Sequence, residues 1–104
     1  MEIIWSNISK RDLRNFFDNI HEGTENTATN YILNLIDYTN FLSNNPYLGK
    51  ILFSHNNLDY RILIYRKHKI LYTVTNNINI VSLIHSSRNM EEILNQLKSL
   101  DLYL

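Results

Sequence analysis

The chain has 104 residues, 44% of them hydrophobic, with ten basic and ten acidic side chains and no cysteine. This length suits one domain over residues 1–104, and the lack of cysteine excludes a disulfide framework and a thiolate zinc site. A net charge of zero argues against a protein that wraps nucleic acid by bulk charge, although a local basic patch stays open. No apolar run approaches the roughly 20 residues that span a bilayer. Glu2 stands where a signal peptide would carry basic residues, so we expect a cytoplasmic protein.

The first elements in chain order are a short strand and an amphipathic helix. Residues 2–5 are rich in Ile and Trp and predict the strand. Ser9 is expected to be the N-cap of the helix, with Asp12 three residues later in the capping-box position. Gly23 is well placed to end this helix in a left-handed conformation. The apolar face of the helix has the spacing i, i+3, i+4, i+7 and consists of Leu13, Phe16, Phe17 and Ile20.

A second helix is predicted to open near Thr24 or Glu25 and to end before Asn45, because Pro46 cannot continue it. The link between the two helices is only about three residues long, so the helices should form an antiparallel hairpin. One apolar stripe runs the length of the second helix, as expected of a helix that packs on its neighbours. The stripe consists of Ala28, Ile32, Leu35, Thr39 and Leu42.

The second half of the chain changes to the patterns of β-strands. Asn76 and Asn77 tolerate positive φ and predict the turn of a hairpin. The strand after that turn is apolar on both faces, which is typical of a central strand that is covered on both sides. Its faces are expected to carry Ile78, Ile80 and Ile84 on one side and Val81 and Leu83 on the other. The predicted strands are residues 50–53, which is the weakest, 60–65, 69–75 and 78–85.

A last amphipathic helix starts at Met90 and completes an α+β fold. The predicted architecture is an N-terminal strand, an antiparallel helical hairpin packed on a mostly antiparallel sheet of four to five strands, and this C-terminal helix. The helix could itself cover the second face of the sheet. Its apolar positions are Met90, Ile93, Leu94, Leu97 and Leu100.

Standard catalytic motifs are missing from the sequence, including Gly-rich phosphate loops, His-Glu-x-x-His and nucleophile elbows. Glu91 and Glu92 open the last helix, where acids favour the helix dipole, so we interpret them as capping residues. The histidines lack the spacing of metal ligands and are interpreted as solvated or core residues. No metal or cofactor is therefore predicted. The four histidines are His21, His55, His68 and His85.

Basic residues in the second half are the remaining candidates for a site. Arg61 lies inside an otherwise apolar strand on the face of Leu63 and Tyr65, where an arginine needs a partner: an acid such as Asp59, a chain terminus or an external anion. A paired or snorkelling arginine is the simplest interpretation from residue type. His85 and Arg88 follow the central strand, flanked by small serines that leave them accessible. The candidates for contact with an anion or a target are Arg61, Arg66, Lys67 and Arg88.

Taken together, the chain resembles the RelE/ParE superfamily of toxins from bacterial type II toxin–antitoxin systems. The resemblance covers nearly the whole chain in the right order, and it is strongest over the strands of the second half. The matching residues are Trp5, Asp12, Leu13, Ile20 and Ala28, and the segments 42–49, 60–63, 70–74 and 78–89.

The superfamily has two branches with different targets. RelE-like members are metal-independent endoribonucleases that cut messenger RNA on the ribosome, and the resemblance implies Lys50, Arg61, His85 and Arg88 as catalytic residues in that case. ParE-like members poison DNA gyrase and have no demonstrated hydrolytic chemistry. The helix after Arg88, the long hairpin and the zero net charge favour the ParE-like branch. Tyr103 lies beyond that helix, so it is not assigned the catalytic tyrosine role.

Both branches imply a toxin of the plasmid-stabilisation type that arrests growth until a cognate antitoxin neutralises it. The antitoxin would lay a helix, and often a strand, over apolar surface of the toxin. Two alternatives to the gyrase inhibitor stay open: the ribosome-dependent mRNA interferase, and an inactive toxin-fold module that survives as a binding partner.

Overall fold

The computed structural model describes residues 1–19 and 25–99, and within these the side chains of 1–18 and 27–95. The predictions on Ile20, His21, Gly23, Thr24, Leu97, Leu100 and Tyr103 therefore lie outside the described parts. No helix of the described residues is long and apolar enough to cross a membrane. The elements are β1 (Ile3–Trp5), α1 (Asn7–Asn19), α2 (Glu25–Asn40), a short 3-10 turn (Phe41–Ser43), β2 (Lys50–His55), β3 (Leu58–Tyr65), β4 (His68–Val74), β5 (Ile78–His85) and α3 (Met90–Ser99).

The strands form one five-stranded sheet in the order β1-β5-β4-β3-β2. β2 to β5 form an antiparallel meander, and β1 adds to β5 in parallel. This arrangement confirms the predicted α+β class, the mostly antiparallel sheet and the interior position of β5. The two edges of the sheet are β1 and β2.

The helices cover both faces of the sheet. On the first face, α1 and α2 bury a core of Leu35, Leu42, Leu63, Ile70, Tyr72, Ile78, Ile80 and Leu83. Phe16 near the end of α1 and Tyr31 near the start of α2 both lie against His68. Ser43, just after α2, forms hydrogen bonds with Met1, just before β1 and α1. The two helices are therefore antiparallel, as predicted. On the second face, Ile93 of α3 packs in a cluster with Tyr60, Leu71 and Ile84, so the chain supplies its own cover there.

A β-bulge in β5 corrects the predicted assignment of its faces. Leu71 pairs with Ser82 but Tyr72 pairs with Ile80, so Val81 is an extra residue in the ladder. An extra residue reverses the alternation beyond it. Leu83 consequently joins the core under α1 and α2, whereas Ile84 faces α3. The prediction that Ile84 shares a face with Ile78 and Ile80 is wrong for this reason.

The start of α1 corrects the predicted capping box. The helix begins at Asn7, and Ser6 is its cap, because its Oγ accepts the N–H of Ser9 at 3.0 Å. Ser6 Oγ also donates to the carbonyl of Val81 at 2.8 Å. Asp12 does not cap the helix: its Oδ2 accepts the backbone N–H of Leu83 at 3.0 Å and the hydroxyl of Ser82 at 2.9 Å. Ser6 and Asp12 thus satisfy backbone groups of β5 beside the bulge, just past the point where the pairing with β1 ends.

The asparagine turns also differ from the prediction. The chain does turn at Asn76 and Asn77, but positive φ occurs instead at Asn56 (52°) and Asn57 (64°), in the two-residue link between β2 and β3. Two positive φ values are the requirement of a type I′ hairpin turn, whose twist matches that of the flanking strands. Arg66, in the two-residue link between β3 and β4, has φ of 50°.

Candidate functional site

Arg61 holds the loop that leads into β2. Its Nη1 donates to the carbonyl of Gly49 at 2.8 Å and to that of Tyr47 at 3.3 Å, and its guanidinium lies over the Tyr47 ring at 5.0 Å from the centroid. The partners that Arg61 needs inside an apolar strand are therefore two backbone carbonyls and an aromatic ring. Asp59 is engaged elsewhere, because its carboxylate accepts the hydroxyl of Ser54. The half-buried Arg61 is thus bound to backbone and aromatic groups of its own chain.

Gly49 fixes the other side of this loop. Its N–H donates to the hydroxyl of Tyr72 at 2.7 Å, and burial raises the pKa of that tyrosine above its usual range. A Cβ at Gly49 would lie 2.6 Å from Cε1 of Tyr72 and 2.9 Å from the carbonyl oxygen of Ile62. The close approach of the loop to the sheet therefore requires glycine at this position.

Lys50 lies on the other face of the sheet from Arg61. Lys50 pairs with Ile62, whereas Arg61 pairs with Ile51, and directly paired residues share a face. The exposed Lys50 side chain and the Arg61 guanidinium do not converge on a common point.

His85, Ser87 and Arg88 form a turn at the end of β5. Nδ1 of His85 accepts the backbone N–H of Ser87 at 3.1 Å and lies 2.6 Å from Ser87 Oγ. The N–H of Arg88 donates to the carbonyl of His85 at 3.1 Å. Because Nδ1 is an acceptor, the neutral ring carries its proton on Nε2. Ser87 and Arg88 are exposed.

The turn between β3 and β4 lies beside this one. The backbone N–H of Ser86 donates to the carbonyl of Lys67 at 2.6 Å, which joins the two turns. The Arg66 guanidinium lies 5.6 Å from the centroid of the Tyr65 ring, and both Arg66 and Lys67 are exposed. The structure thus brings together four of the predicted residues at one end of the sheet, which we call the cationic end: Arg66, Lys67, His85 and Arg88.

Arg61 is remote from the cationic end. It lies four residues before Tyr65 along β3, and Tyr65 is separated from His85 by two strand spacings through His68. At about 3.3 Å per residue and about 4.8 Å per strand, the backbones of Arg61 and His85 are roughly 16 Å apart. Arg61 and His85 therefore do not form one compact site.

A buried histidine, which the sequence left open as a solvated or a core residue, lies beside the cationic end. His68 is 7% exposed, lies against Phe16 and His85, and its Nδ1 is 2.5 Å from the hydroxyl of Tyr31. Burial, followed by the nearby His85 and Lys67, lowers the pKa of His68 from 6.5 to about 4. His68 is thus a neutral core residue that joins α1, α2, β4 and β5.

Apolar side chains are exposed around the loop that Arg61 holds. Tyr47 is 66% exposed and Leu48 56%, and both follow Pro46 in a turn where polar residues are usual. An exposed cluster of this kind marks an interaction surface more often than scattered apolar residues do. We call it the loop patch, and it consists of Phe41, Tyr47, Leu48 and Ile51.

The fold and the site define a small α+β protein whose surface offers a cationic end and an apolar patch. Among the described residues, no three His, Asp or Glu side chains are grouped so that they could hold a metal ion. Each buried polar side-chain atom in the described part of the chain has a hydrogen-bond partner.

Comparison with known proteins identifies the family. Residues 3–90 match the family model of the ParE toxin of type II toxin–antitoxin systems, so the chain belongs to the ParE toxin family. The fold is similar to that of a chain in the solved structure of the chromosomal ParDE TA system from P. aeruginosa, with a TM-score of 0.67 and 15% identity. That match covers 82% of this chain and 95% of the other. Comparison with curated proteins gave no significant match.

Proposed function

We propose that this chain is a growth-arresting toxin that acts in the cytoplasm by poisoning DNA gyrase and is neutralised by a cognate antitoxin. Membership of the ParE toxin family carries the proposal of a toxin with an antitoxin partner. The wide separation of Arg61 from His85 favours gyrase over messenger RNA as the target. In-line attack by a 2′-hydroxyl needs its basic groups within hydrogen-bond reach of one phosphate.

Growth on expression tests the toxin part of this proposal. The chain expressed alone should arrest growth, and expression together with the adjacent gene should restore it. Normal growth in both cases would instead favour an inactive module that only binds a partner.

The ribonuclease alternative has an observation in its favour, because the cationic end presents Arg66, Lys67 and Arg88 to solvent beside the half-buried His85. If the chain cuts translated mRNA, codon-positioned products should appear in a translation extract and vanish with Arg88→Ala. Lys69→Ala on β4 is the matched control, since Lys69 pairs with Ile84 and therefore lies on the opposite, α3-covered face of the sheet. Arg61→Ala is a poor probe, because it also releases the loop that precedes β2. The gyrase proposal predicts no such cuts.

The loop patch is the surface that we assign to the antitoxin. A helix with an apolar face can cover Phe41, Tyr47 and Leu48, and the adjacent β2 is a sheet edge to which an extended segment can add. Leu48→Ser should weaken antitoxin binding at least about fivefold in calorimetric titration, because truncation of a central apolar contact costs more than about 1 kcal/mol. Ile64→Ser is the control, since Ile64 is 60% exposed on the opposite face of the sheet. Equal weakening by both changes would contradict the assignment.

A further inference from the structure

The outer face of α1 carries three basic residues that lie outside the predicted site. Lys10, Arg11 and Arg14 are all exposed. At 100° per residue they lie opposite the inward side of the helix, which contains Ser9, Asp12, Leu13 and Phe16. We call this surface the α1 basic face.

The α1 basic face carries three positive charges and one negative charge, because the exposed Asp18 lies on the same side of the helix one turn after Arg14. Asp12 is turned inward and bound to the β5 bulge, so its charge is held beneath the helix. In the part of the chain that the structure describes, no carboxylate forms an ion pair with Lys10, Arg11 or Arg14. A neutral molecule thus presents a local positive surface, which the whole-chain charge conceals.

We propose that the α1 basic face contacts the phosphate backbone of duplex DNA. Lys10 and Arg14 are one turn apart, or about 6 Å along the helix axis. Phosphates of one strand recur at about 3.4 Å along the duplex axis, so these two cations match phosphates two steps apart. Arg11 on the same face reaches a third phosphate, and Asn7 adds an exposed amide donor.

The composition of the face favours nucleic acid over an acidic protein. Protein interfaces place apolar or aromatic groups at their centre and are depleted in lysine there. On α1 the exposed apolar side chains, Ile8 and Phe17, lie at the two borders of the basic face. The loop patch, in contrast, has the composition expected of a protein contact.

This inference deepens the proposed function and rests on it, since a protein that holds gyrase on cleaved DNA works beside a duplex. The contact is not specific for sequence, because phosphates carry no base identity. Three cations alone give weak binding, so gyrase would supply most of the affinity and α1 would orient the toxin on the DNA.

Salt-dependent binding of a fluorescent 20-base-pair duplex to the whole protein tests the inference. Three phosphate contacts predict that log K falls against log salt with a slope of about −2.7, which is roughly a 40-fold loss between 50 and 200 mM. Arg14→Gln should reduce the slope by about 0.9, and the triple change Lys10→Gln, Arg11→Gln, Arg14→Gln should abolish it. Glutamine is a good helix former, so these variants should keep the helix, which circular dichroism checks.

Two controls distinguish duplex DNA from a non-specific charge effect and from an acidic protein partner. Lys69→Gln removes one positive charge from the α3-covered face and should leave the slope unchanged. If the triple variant binds the duplex as tightly as wild type does, the inference is overturned. It is also overturned if the wild-type protein binds poly-L-glutamate as tightly as DNA, because that result would indicate an acidic protein partner. Gyrase inhibition by the same preparations is measured separately. Inhibition without duplex binding overturns this inference alone, whereas duplex binding without inhibition overturns the proposed function.

Discussion

At the scale of single residues, Gly49 connects the loop before β2 to the core. Its N–H and carbonyl bond Tyr72 and Arg61 respectively, and its Cα faces the ring of a tyrosine that is completely buried. The Tyr72 ring cannot shift to make space, since it is enclosed by the core under α1 and α2.

Gly49→Ala should therefore destabilise the protein by about 1–3 kcal/mol, the usual cost of overpacking. The added Cβ would meet Tyr72 at 2.6 Å and push the loop away from the sheet. Urea denaturation measures the change. The neighbouring Leu48→Ala is the control, because its exposed side chain should alter the free energy of unfolding by less than about 0.5 kcal/mol. Equal stability of Gly49→Ala and wild type would contradict the close approach.

His68 makes stability depend on pH. Its folded pKa of about 4 lies below the unfolded value of 6.5, so below pH 6.5 the unfolded chain takes up a proton that the folded chain does not. Its contribution is fully present above pH 6.5, is lost as the pH falls towards 4, and amounts to about 3 kcal/mol over that window. The free energy of unfolding should therefore decrease as the pH is lowered from 6.5 towards 4.

The variant His68→Phe isolates this effect, because Phe fills a similar volume beside Phe16 but has no proton to gain. The free energy of unfolding, measured by urea denaturation between pH 4 and 7, should fall more steeply in wild type than in His68→Phe. Parallel pH profiles for the two proteins would show that His68 is not the group responsible.

At the scale of elements, the bulge in β5 depends on α1. Asp12→Ala leaves the N–H of Leu83 and the hydroxyl of Ser82 without their charged acceptor, which should cost about 1.5–3 kcal/mol. Asp18→Ala removes an exposed carboxylate from the same helix and serves as the control. Thermal unfolding distinguishes the two. If both variants unfold at the wild-type temperature, Asp12 does not hold the bulge.

Helix α3 is expected to depend on the packing of Ile93, beside which Met90 also contacts the cluster. Ile93 is 4% exposed, and a ten-residue helix is not stable in water by itself. Ile93→Asp should release α3, so that its amide protons exchange rapidly while those of β4 and β5 stay protected. Asn95→Ala at an exposed position is the control. Continued protection of α3 in Ile93→Asp would show that other contacts suffice to hold it.

Periodicity explains why so much of the architecture could be predicted. The span of β5 and the stripe of α2 depend on local alternation and helical spacing, and the structure reproduces both. The bulge at Val81 could not be predicted, because one extra residue in a ladder leaves no trace in an apolar run. The role of Asp12 follows from that bulge and was missed with it.

The candidate site was predicted less well than the fold. The residues of the cationic end follow neighbouring strands of one meander, so their proximity could be inferred from topology. The partners of Arg61 are backbone carbonyls on a loop 12 and 14 residues away, and every residue type carries such a carbonyl. Residue identity therefore cannot indicate them. The α1 basic face carries no motif, and basic residues are common on the solvent side of a helix, so its composition does not mark it in the sequence.

At the scale of the whole molecule, the described residues offer three surfaces with different chemistry. The loop patch is apolar and lies by the β2 edge, the cationic end surrounds the turns after β3 and β5, and the α1 basic face lies outside the helices. If the two proposals hold, such a distribution would let one small protein meet an antitoxin, gyrase and DNA without using the same residues for each.

DNA cleavage by gyrase in the presence of the purified protein tests the proposed function most directly. With supercoiled plasmid, gyrase and ATP, micromolar toxin should accumulate linear DNA bound covalently to the enzyme, and supercoiling should fall in step. Addition of the antitoxin should reverse both effects. An unchanged level of cleaved DNA and unchanged supercoiling at micromolar toxin would contradict gyrase poisoning.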